Sequence, residues 1–389
     1  MKVLLISPVP TDPAGAGNRA RIATLASALQ DHGHELHFAY LPLEAADLDA
    51  MKVRFGPGRL HVPPWQATKG PWLRRALKKI GKSLSMESAY AYRLDDWYDA
   101  KANAFLKGLQ AEHRYDVVMV EYVFMSKAFE AFEDVGMKIL DTHDRFGMRH
   151  RSYIQAGQKP EWYSTSDEEE LRGFRRAHLV IGIQAQEADD FRQRLGPKSA
   201  TRVIEVGHLI AKPQPFKPSQ VPSAVFLGSS NAINVAACEY FINEVAPMVL
   251  ATFPEFKLFL AGSVSKHFTA SKLLHPLGFV ENLSEAFSQG AVAINPVQMG
   301  TGVNIKLLDA LAHGMPCVTT ASGARGLESL AGVAMVMVED QNPHAFAQQL
   351  MALLSQPALR AELQRSALQA ANTWNERQLG SLTAALRSP

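Results

Sequence analysis

One pattern occurs twice along this chain, and it limits the fold more than any other feature of the sequence. It is an apolar run, a glycine-bearing loop, an amphipathic segment and a second apolar run. The first copy begins at once. Lys2 to Ser7 (KVLLIS) has the continuous apolar character of a strand buried on both faces. A loop rich in Pro and Gly follows from Pro8 to Gly17, and Asn18 is placed to cap a helix. Its apolar residues Ile22, Leu25, Ala26 and Leu29 fall at helical spacing and Gly33 ends it. Glu35 to Leu41 reads as the next strand. Two strands joined through a helix require a crossover, and hence a parallel sheet. Further strands are expected at Asp116–Val120, Lys138–Leu140, Leu179–Ile183 and Arg202–Val206. Between them, Ser166–Ala177 reads as a helix with Asp167, Glu168 and Glu169 in its acid-favouring first turn.

The second copy starts after Lys212–Pro222, a stretch with four prolines and no periodicity. Ala224–Leu227 is a strand, Gly228-Ser229-Ser230-Asn231 its loop, and a helix kinked at Pro247 follows. Strands at Lys257–Ala261, Ala291–Asn295 and Cys317–Thr320 continue the alternation, with a helix from about Asn304 to His313 closed by Gly314. The fold class is therefore α/β, with two Rossmann-like domains facing across a cleft at the carboxyl ends of their sheets. A length of 389 residues exceeds what one hydrophobic core usually supports. The expected boundaries are 1–211, a linker at 212–222 and 223–371, with a helix near 372–389 packing back on the first domain.

Charge and cysteine usage exclude several function classes. A formal net charge of +2 argues against nucleic acid as a partner. Cys238 and Cys317 are far apart and set in apolar runs, so neither a disulfide framework nor a cysteine metal cluster is expected, and a reducing compartment suits them. Met1–Ile6 is too short for a leader, and no run reaches the ~18 apolar residues of a membrane span. The expected location is cytoplasmic, or peripheral at the inner face of a membrane.

The segment Asn295–Val318 carries the strongest local signal. Its glycines at 300 and 302 let backbone amides approach an anion, and the helix start adds free N–H donors and a favourable dipole. Lys306 falls in the first turn and can meet a diphosphate. Asp309, one turn on, can accept two ribose hydroxyls. The bland alternative is a surface Lys306–Asp309 pair worth about 0.2–0.5 kcal/mol, and on the residues alone the two readings weigh equally.

The run GTGVNIKLLDALAHGMPCVTT resembles the donor segment of retaining GT-B glycosyltransferases of family 4. Phe226-Leu227-Gly228-Ser229 through Asn234, then Ala261-Gly262-Ser263, resembles that family's strand and phosphate loop. Gly278-Phe279-Val280 resembles its nucleobase loop, and KVLLISPVPTDPAGAGNRAR its amino-terminal glycine loop. The likeness covers nearly the whole chain and is most specific from Ala224 to Glu328. It implies a hexosyl- or other glycosyltransferase using a nucleotide sugar, UDP- or GDP-linked, with no further cofactor. Gly278 to Leu283, including Val280, would hold the base and Asp309 the ribose. Lys306 and the amides of Gly302, Val303 and Asn304 would hold the diphosphate, aided by Gly15 and Gly17 from the first domain and by Gly228 and Ser229. The chain departs from the family at Thr301, where many members carry an acid, at Asp309, where they carry glutamate, and at Ser229, Ser230 and Asn231, where many carry Arg and Lys. Lys306 is then the main positive charge.

In the first domain, His143 in Asp141-Thr142-His143-Asp144 matches the family histidine that contacts the transferred sugar; the bland reading is a turn with an Asx cap. Glu121, at the end of the preceding strand, and Asp144 are acceptor-side candidates. So is Arg19, a cation at a helix start, where it opposes the dipole and suggests an anionic partner. Between Lys52 and Lys82 stand nine Lys or Arg and no acid, with Trp65 and Trp72 interleaved. That reads either as a membrane-surface element or as a helix packed on the protein with its charges solvated. A glycan or lipid-linked acceptor of the cell-envelope polysaccharide kind is the corresponding expectation.

The resemblance implies retention without a bound metal, through front-face attack by the acceptor hydroxyl. Asp95-Asp96 and Asp189-Asp190, read as helical, do not suit a Mg²⁺–diphosphate site. The rivals are a sugar-nucleotide epimerase and a non-catalytic protein that binds sugar nucleotides or glycans.

Overall fold

The computed structural model describes residues 1–13, 17–65, 87–155, 159–160, 162–210, 216–280, 282–299 and 304–387. It divides into two compact units, Met1–Gly207 with Gln378–Pro389, and His208–Arg377.

Among the described residues the first unit is built on seven parallel strands: β1 Lys2–Ser7, β2 Glu35–Tyr40, β3 Leu60–His61, β4 Val117–Glu121, β5 Met137–Asp141, β6 Leu179–Gly182 and β7 Arg202–Glu205. Their order is β3-β2-β1-β4-β5-β6-β7. The chain thus leaves β1 in one direction and returns to its other side at β4, which makes the carboxyl ends of β1 and β4 a switch point where such sheets bind ligands. Leu4, Leu5 and Ile6 of β1 and Val118, Met119 and Val120 of β4 are fully buried. Each such side chain contributes about 1.5–3 kcal/mol of transfer free energy, which is why these two strands are the most apolar runs of the domain. The helix Gly17–Asp31 follows β1 and buries Ile22, Leu25, Ala26 and Leu29, as their spacing predicts, but it buries Arg21 on the same face. Asn18 is not its cap. The helix already starts at Gly17, and the Asn18 amide donates to the Tyr122 hydroxyl at 3.0 Å.

The second unit repeats the plan with β8 Ser223–Leu227, β9 Lys257–Ala261, β10 Leu274–Gly278, β11 Val292–Asn295, β12 Cys317–Thr320 and β13 Val336–Val338, in the order β10-β9-β8-β11-β12-β13. Phe226, Phe241, Leu258, Ile294 and Phe346 pack one face of the sheet. Leu307, Leu308, Leu311 and Met315 pack the other. The expected kink near Pro247 is a π turn at Phe241–Val245 between two α-helical stretches. Pro247 lies in the first turn of the second stretch, where its missing N–H is tolerated. Cys238 and Cys317 are buried free thiols. The helix Pro357–Arg387 ends the chain. Near its end Gln378 accepts from the Gly207 amide at 2.7 Å, and the Ala385 carbonyl accepts from Arg202 at 3.5 Å.

No helix among the described residues is long and apolar enough to cross a membrane. Of the basic stretch 52–82, residues 66–82 lie outside the described part. Within that part Arg54 makes a two-pronged pair with Asp12 at 2.8 and 2.8 Å, and Lys52 bonds Asp49, so these two charges are met inside the chain.

Candidate functional site

In the second unit the strand ends are knitted by backbone. The Gly228 amide donates to the Ala261 carbonyl at 2.9 Å, Gly262 to Gly278 at 2.7 Å, and Val264 back to Gly228 at 3.1 Å. Gly262 holds φ at +89°, and a Cβ there would stand 2.3 Å from the Gly228 carbonyl oxygen. Only glycine fits, because the loop after β8 and the end of β9 touch main chain to main chain. The loop carrying Gly278 and Val280 is thereby fixed beside the loop after Gly228.

The helix Ile305–Ala312 begins at Asn304, whose side chain makes no capping bond. Lys306 does not pair with Asp309. Its ammonium donates to the Asn234 side-chain oxygen at 2.5 Å and lies 4.6 Å above the Phe226 ring. Asn234 in turn donates to the Ser229 carbonyl at 3.0 Å, and Asn231 caps the helix Ala232–Tyr240 by accepting from the Asn234 amide at 2.8 Å. Burial lowers the Lys306 ammonium to about 8, with no carboxylate to offset it. Among the described residues this cation has no counter-ion. Burial likewise pushes Asp309 up to about 7, and among the described residues no cation offsets it. The surface ion-pair reading is thus excluded. Sequence reasoning placed Asn234 in the segment that resembles the phosphate loop but gave its side chain, which holds Lys306, no role. Gly302, Val303, Thr301 and Gly15 lie outside the described residues, whereas Gly17 starts its helix.

Asp309 gives a test of this environment. An unfolded aspartate ionises near 3.8 and the folded one near 7, so folding stability falls as pH rises between those values. Fully transmitted, that displacement is worth ~4 kcal/mol, and the partial exposure of the side chain reduces it to about 2. Asp309→Asn is therefore expected to be more stable than wild type at pH 8 by about 2 kcal/mol and unchanged at pH 4. Denaturant titrations at the two pH values check this; equal effects at both would remove the buried-carboxylate account.

In the first unit β4 and β5 end in register, Glu121 opposite Asp141, so two carboxylates are buried side by side. Arg21 compensates them. Its guanidinium makes two 2.9 Å bonds to Asp141 and donates to the Val206 and Gly207 carbonyls at 2.9 Å each. His143 follows β5 with φ at +62°, an uncommon value for a residue with a side chain, and Tyr122 follows β4 with φ at +71°. These turns stack the two rings 4.0 Å apart, and His143 Nε2 hydrogen-bonds Glu121 Oε2. Burial raises Glu121 above the ordinary carboxylate range, the Asp141 charge adds to this, and His143 opposes it. Its second oxygen is buried without a hydrogen-bond partner among the described residues. Glu187, which sequence reasoning missed, is pushed up to about 7 by burial and the charge of Asp144. Glu121, Asp141 and His143 have metal-ligand spacing, but Arg21 already occupies both Asp141 oxygens.

The Arg19 and Asp95 expectations change. Arg19 has its anion within the chain, pairing with Glu44 at 2.7 Å. Asp144 accepts from the Arg145 amide at 2.8 Å and pairs with Arg149 at 3.2 Å, yet burial still raises it above the ordinary carboxylate range. Asp95 lies in a turn rather than a helix, gripped by Arg176 at 2.6 and 2.8 Å. The charged residue that matters on the first helix is Arg21. The signal was available: it stands four residues before Leu25, on the apolar face.

The family model described as Glycosyl transferases group 1 matches residues 221–356. A curated relative, an uncharacterized 44.6 kDa protein in the cps region of Klebsiella pneumoniae, is 27% identical over 121 residues, 28% of this chain and 31% of that protein. The matched part thus spans less than a third of that relative's length. Similar solved structures include a point mutant of S. aureus TarM in complex with fondaparinux, alpha-GlcNAc-glycerol and UDP, with a TM-score of 0.64, 9% identity and 100% of both chains covered. Sucrose-phosphate synthase from Thermosynechococcus elongatus has a TM-score of 0.63 at 14% identity, covering 99% of each chain. Anabaena HepE in complex with UDP has 0.61 at 14% identity, covering 99% of this chain and 100% of that one. The chain therefore has the GT-B fold. The family match on its second domain and this fold together support a glycosyltransferase.

Proposed function

We propose that the chain transfers a glycosyl group from a nucleoside diphosphate sugar to an acceptor hydroxyl, with retention of configuration, in the manner of family 4. One observation carries this reading: Lys306 is a part-buried ammonium, aimed by Asn234 and without a counter-ion among the described residues. A cation kept that way is completed by an anion from outside, and a diphosphate supplies one. Asp309, nearby on the same helix, is an acceptor for ribose hydroxyls, and the amides of Gly302, Val303 and Asn304 complete the phosphate cradle. Val280, with the loop from Gly278, takes the base. In the first domain His143, fixed by Glu121 and Tyr122, donates to a hydroxyl of the transferred sugar, while the leaving diphosphate is stabilised electrostatically by Lys306. TarM and HepE are complexes with UDP, so a UDP-linked sugar is the first donor to test and a GDP-linked one the second. The acceptor is a glycan or a lipid-linked glycan, met in the cytoplasm or at the inner membrane face.

The test is a thermal-shift screen of UDP- and GDP-sugars, followed by nucleotide release with and without glycan acceptors. At 100 times its dissociation constant the true donor stabilises by ~2.7 kcal/mol. The expected product keeps the donor's anomeric configuration. His143→Ala is expected to lower turnover about 100-fold with UDP affinity unchanged. Interconversion of the nucleotide sugar without acceptor would establish an epimerase instead. Binding without turnover under any acceptor would establish a binding protein.

A further inference from the structure

A second cluster of chemistry-bearing side chains lies at the β3 edge of the first sheet, independent of the reading above. His37 comes from β2, His61 from β3 and His113 from the end of the helix Ala102–His113. Each offers one ring nitrogen, and the three nitrogens lie within 4.8 Å of one another. His37 Nδ1 is 2.9 Å from His61 Nε2. The Tyr115 hydroxyl stands 3.1 Å from the first and 3.4 Å from the second. On the far side of the His37 ring, Glu35 Oε1 is 3.1 Å from Nε2. His37 is buried, and His61 and His113 are half-buried, so the cluster is both sheltered and reachable.

The rings also stack, with centroids 5.2, 4.7 and 5.0 Å apart for the pairs 37–61, 37–113 and 61–113. Stacking accounts for the ring faces but does not by itself require three ring nitrogens to gather within 4.8 Å of one another. Nor does stacking account for Glu35. A carboxylate on the outer nitrogen favours the Nε2–H tautomer of His37 and leaves Nδ1 as an acceptor, facing His61 Nε2 and the Tyr115 hydroxyl. That is the outer-shell device metal-binding histidines use.

We propose that His37, His61 and His113 bind a divalent transition ion of the zinc class, with the Tyr115 hydroxyl or a water as fourth ligand. Tetrahedral zinc with bonds of ~2.0–2.1 Å places neighbouring ligand nitrogens about 3.4 Å apart. The His37–His61 pair therefore opens by about 0.5 Å to admit the ion. In doing so, His61 moves its proton from Nε2 to Nδ1, and no net charge is created on the protein. The ion joins three elements, among them β3, which is only two residues long. Its function is to clamp this edge of the sheet.

The test uses the untagged full chain, freed of metal by chelation and titrated with zinc chloride against a chromophoric chelator. One zinc per chain with a dissociation constant below about 1 μM is expected, with an unfolding midpoint raised by about 5 °C at 100-fold excess over that constant. His61→Ala and His113→Ala are each expected to weaken binding about 100-fold, and Glu35→Ala about 10-fold. Cobalt in place of zinc is expected to give the visible absorption of a tetrahedral nitrogen site. No binding tighter than about 100 μM by the wild type overturns the proposal. Undiminished binding in both histidine variants overturns it too, as does binding lost in Glu121→Gln but kept in His61→Ala, which would locate the ion at the other cluster.

Discussion

Lys306→Ala is expected to weaken UDP binding by about 30- to 100-fold and to reduce transfer at least as much. The magnitude follows from the bond removed. Hydrogen bonds to charged groups are worth about 1.5–3 kcal/mol, and an ammonium facing a diphosphate in a part-buried place belongs at the upper end. Its pH dependence is more diagnostic than its size. Burial holds the free ammonium near 8 rather than its ordinary 10.5. A bound diphosphate favours the charged form and raises that value again. Binding therefore takes up a proton once the pH exceeds about 8, and wild-type affinity should fall about tenfold per pH unit above that point. In Lys306→Ala the affinity is low and flat with pH. In Lys306→Arg, whose guanidinium stays charged, it is flat at a higher level. Isothermal titration with UDP from pH 6.5 to 9.5 reads all three. A wild-type profile level through pH 9.5 would mean that the ammonium does not touch the ligand. Asn234→Ala should cost only about 3- to 10-fold, because it frees Lys306 without removing its charge.

Much of this site was legible because backbone and charge leave local signatures. The glycines after β8 and β9 mark close main-chain approach, and Lys306 and Asp309 sit one turn apart on a short helix. The central strands β1, β4, β8 and β11 announce themselves by apolar runs, since both of their faces are covered. The edge strands β3, β10 and β13 do not. β3 and β13 are only two and three residues long, and β10 is half-buried, mixed in polarity and contains Pro276, so periodicity had nothing to register. Long-range polar pairs were equally hidden. Asn234 holds Lys306 across 72 residues, and Arg21 reaches Asp141 across 120. Arg19, two positions from Arg21, drew attention by lying at the helix start, where the dipole argument is strongest. Yet the structure gives it Glu44 and sends Arg21 inward. A cation on an apolar face is a sharper signal than a cation at a helix end, because only the former has to find a partner out of water.

Arg21→Ala is accordingly the substitution with the largest expected effect on stability, about 4 kcal/mol. The side chain is almost entirely buried and satisfies Asp141 with two bonds and the Val206 and Gly207 carbonyls with one each. Its removal leaves a carboxylate and two carbonyls without donors, beside the already strained Glu121. Breaking a buried pair on one side typically costs 3–5 kcal/mol. For a domain of this size that corresponds to a fall of about 10 °C in the calorimetric transition of the first unit. Arg21→Lys should recover little, since one ammonium cannot reproduce the two-pronged geometry. Arg21→Met combined with Asp141→Leu should recover most of the stability, because both buried charges leave together. That double variant separates the two jobs of the pair. It restores the fold but takes the charge of Asp141 from beside Glu121, so the Glu121–His143 bond loses the repulsion that helps to set its proton affinity. If the double variant folds as well as wild type and transfers sugar equally well, the pair serves stability alone. A stable protein with impaired turnover and unchanged UDP affinity would assign it to positioning His143.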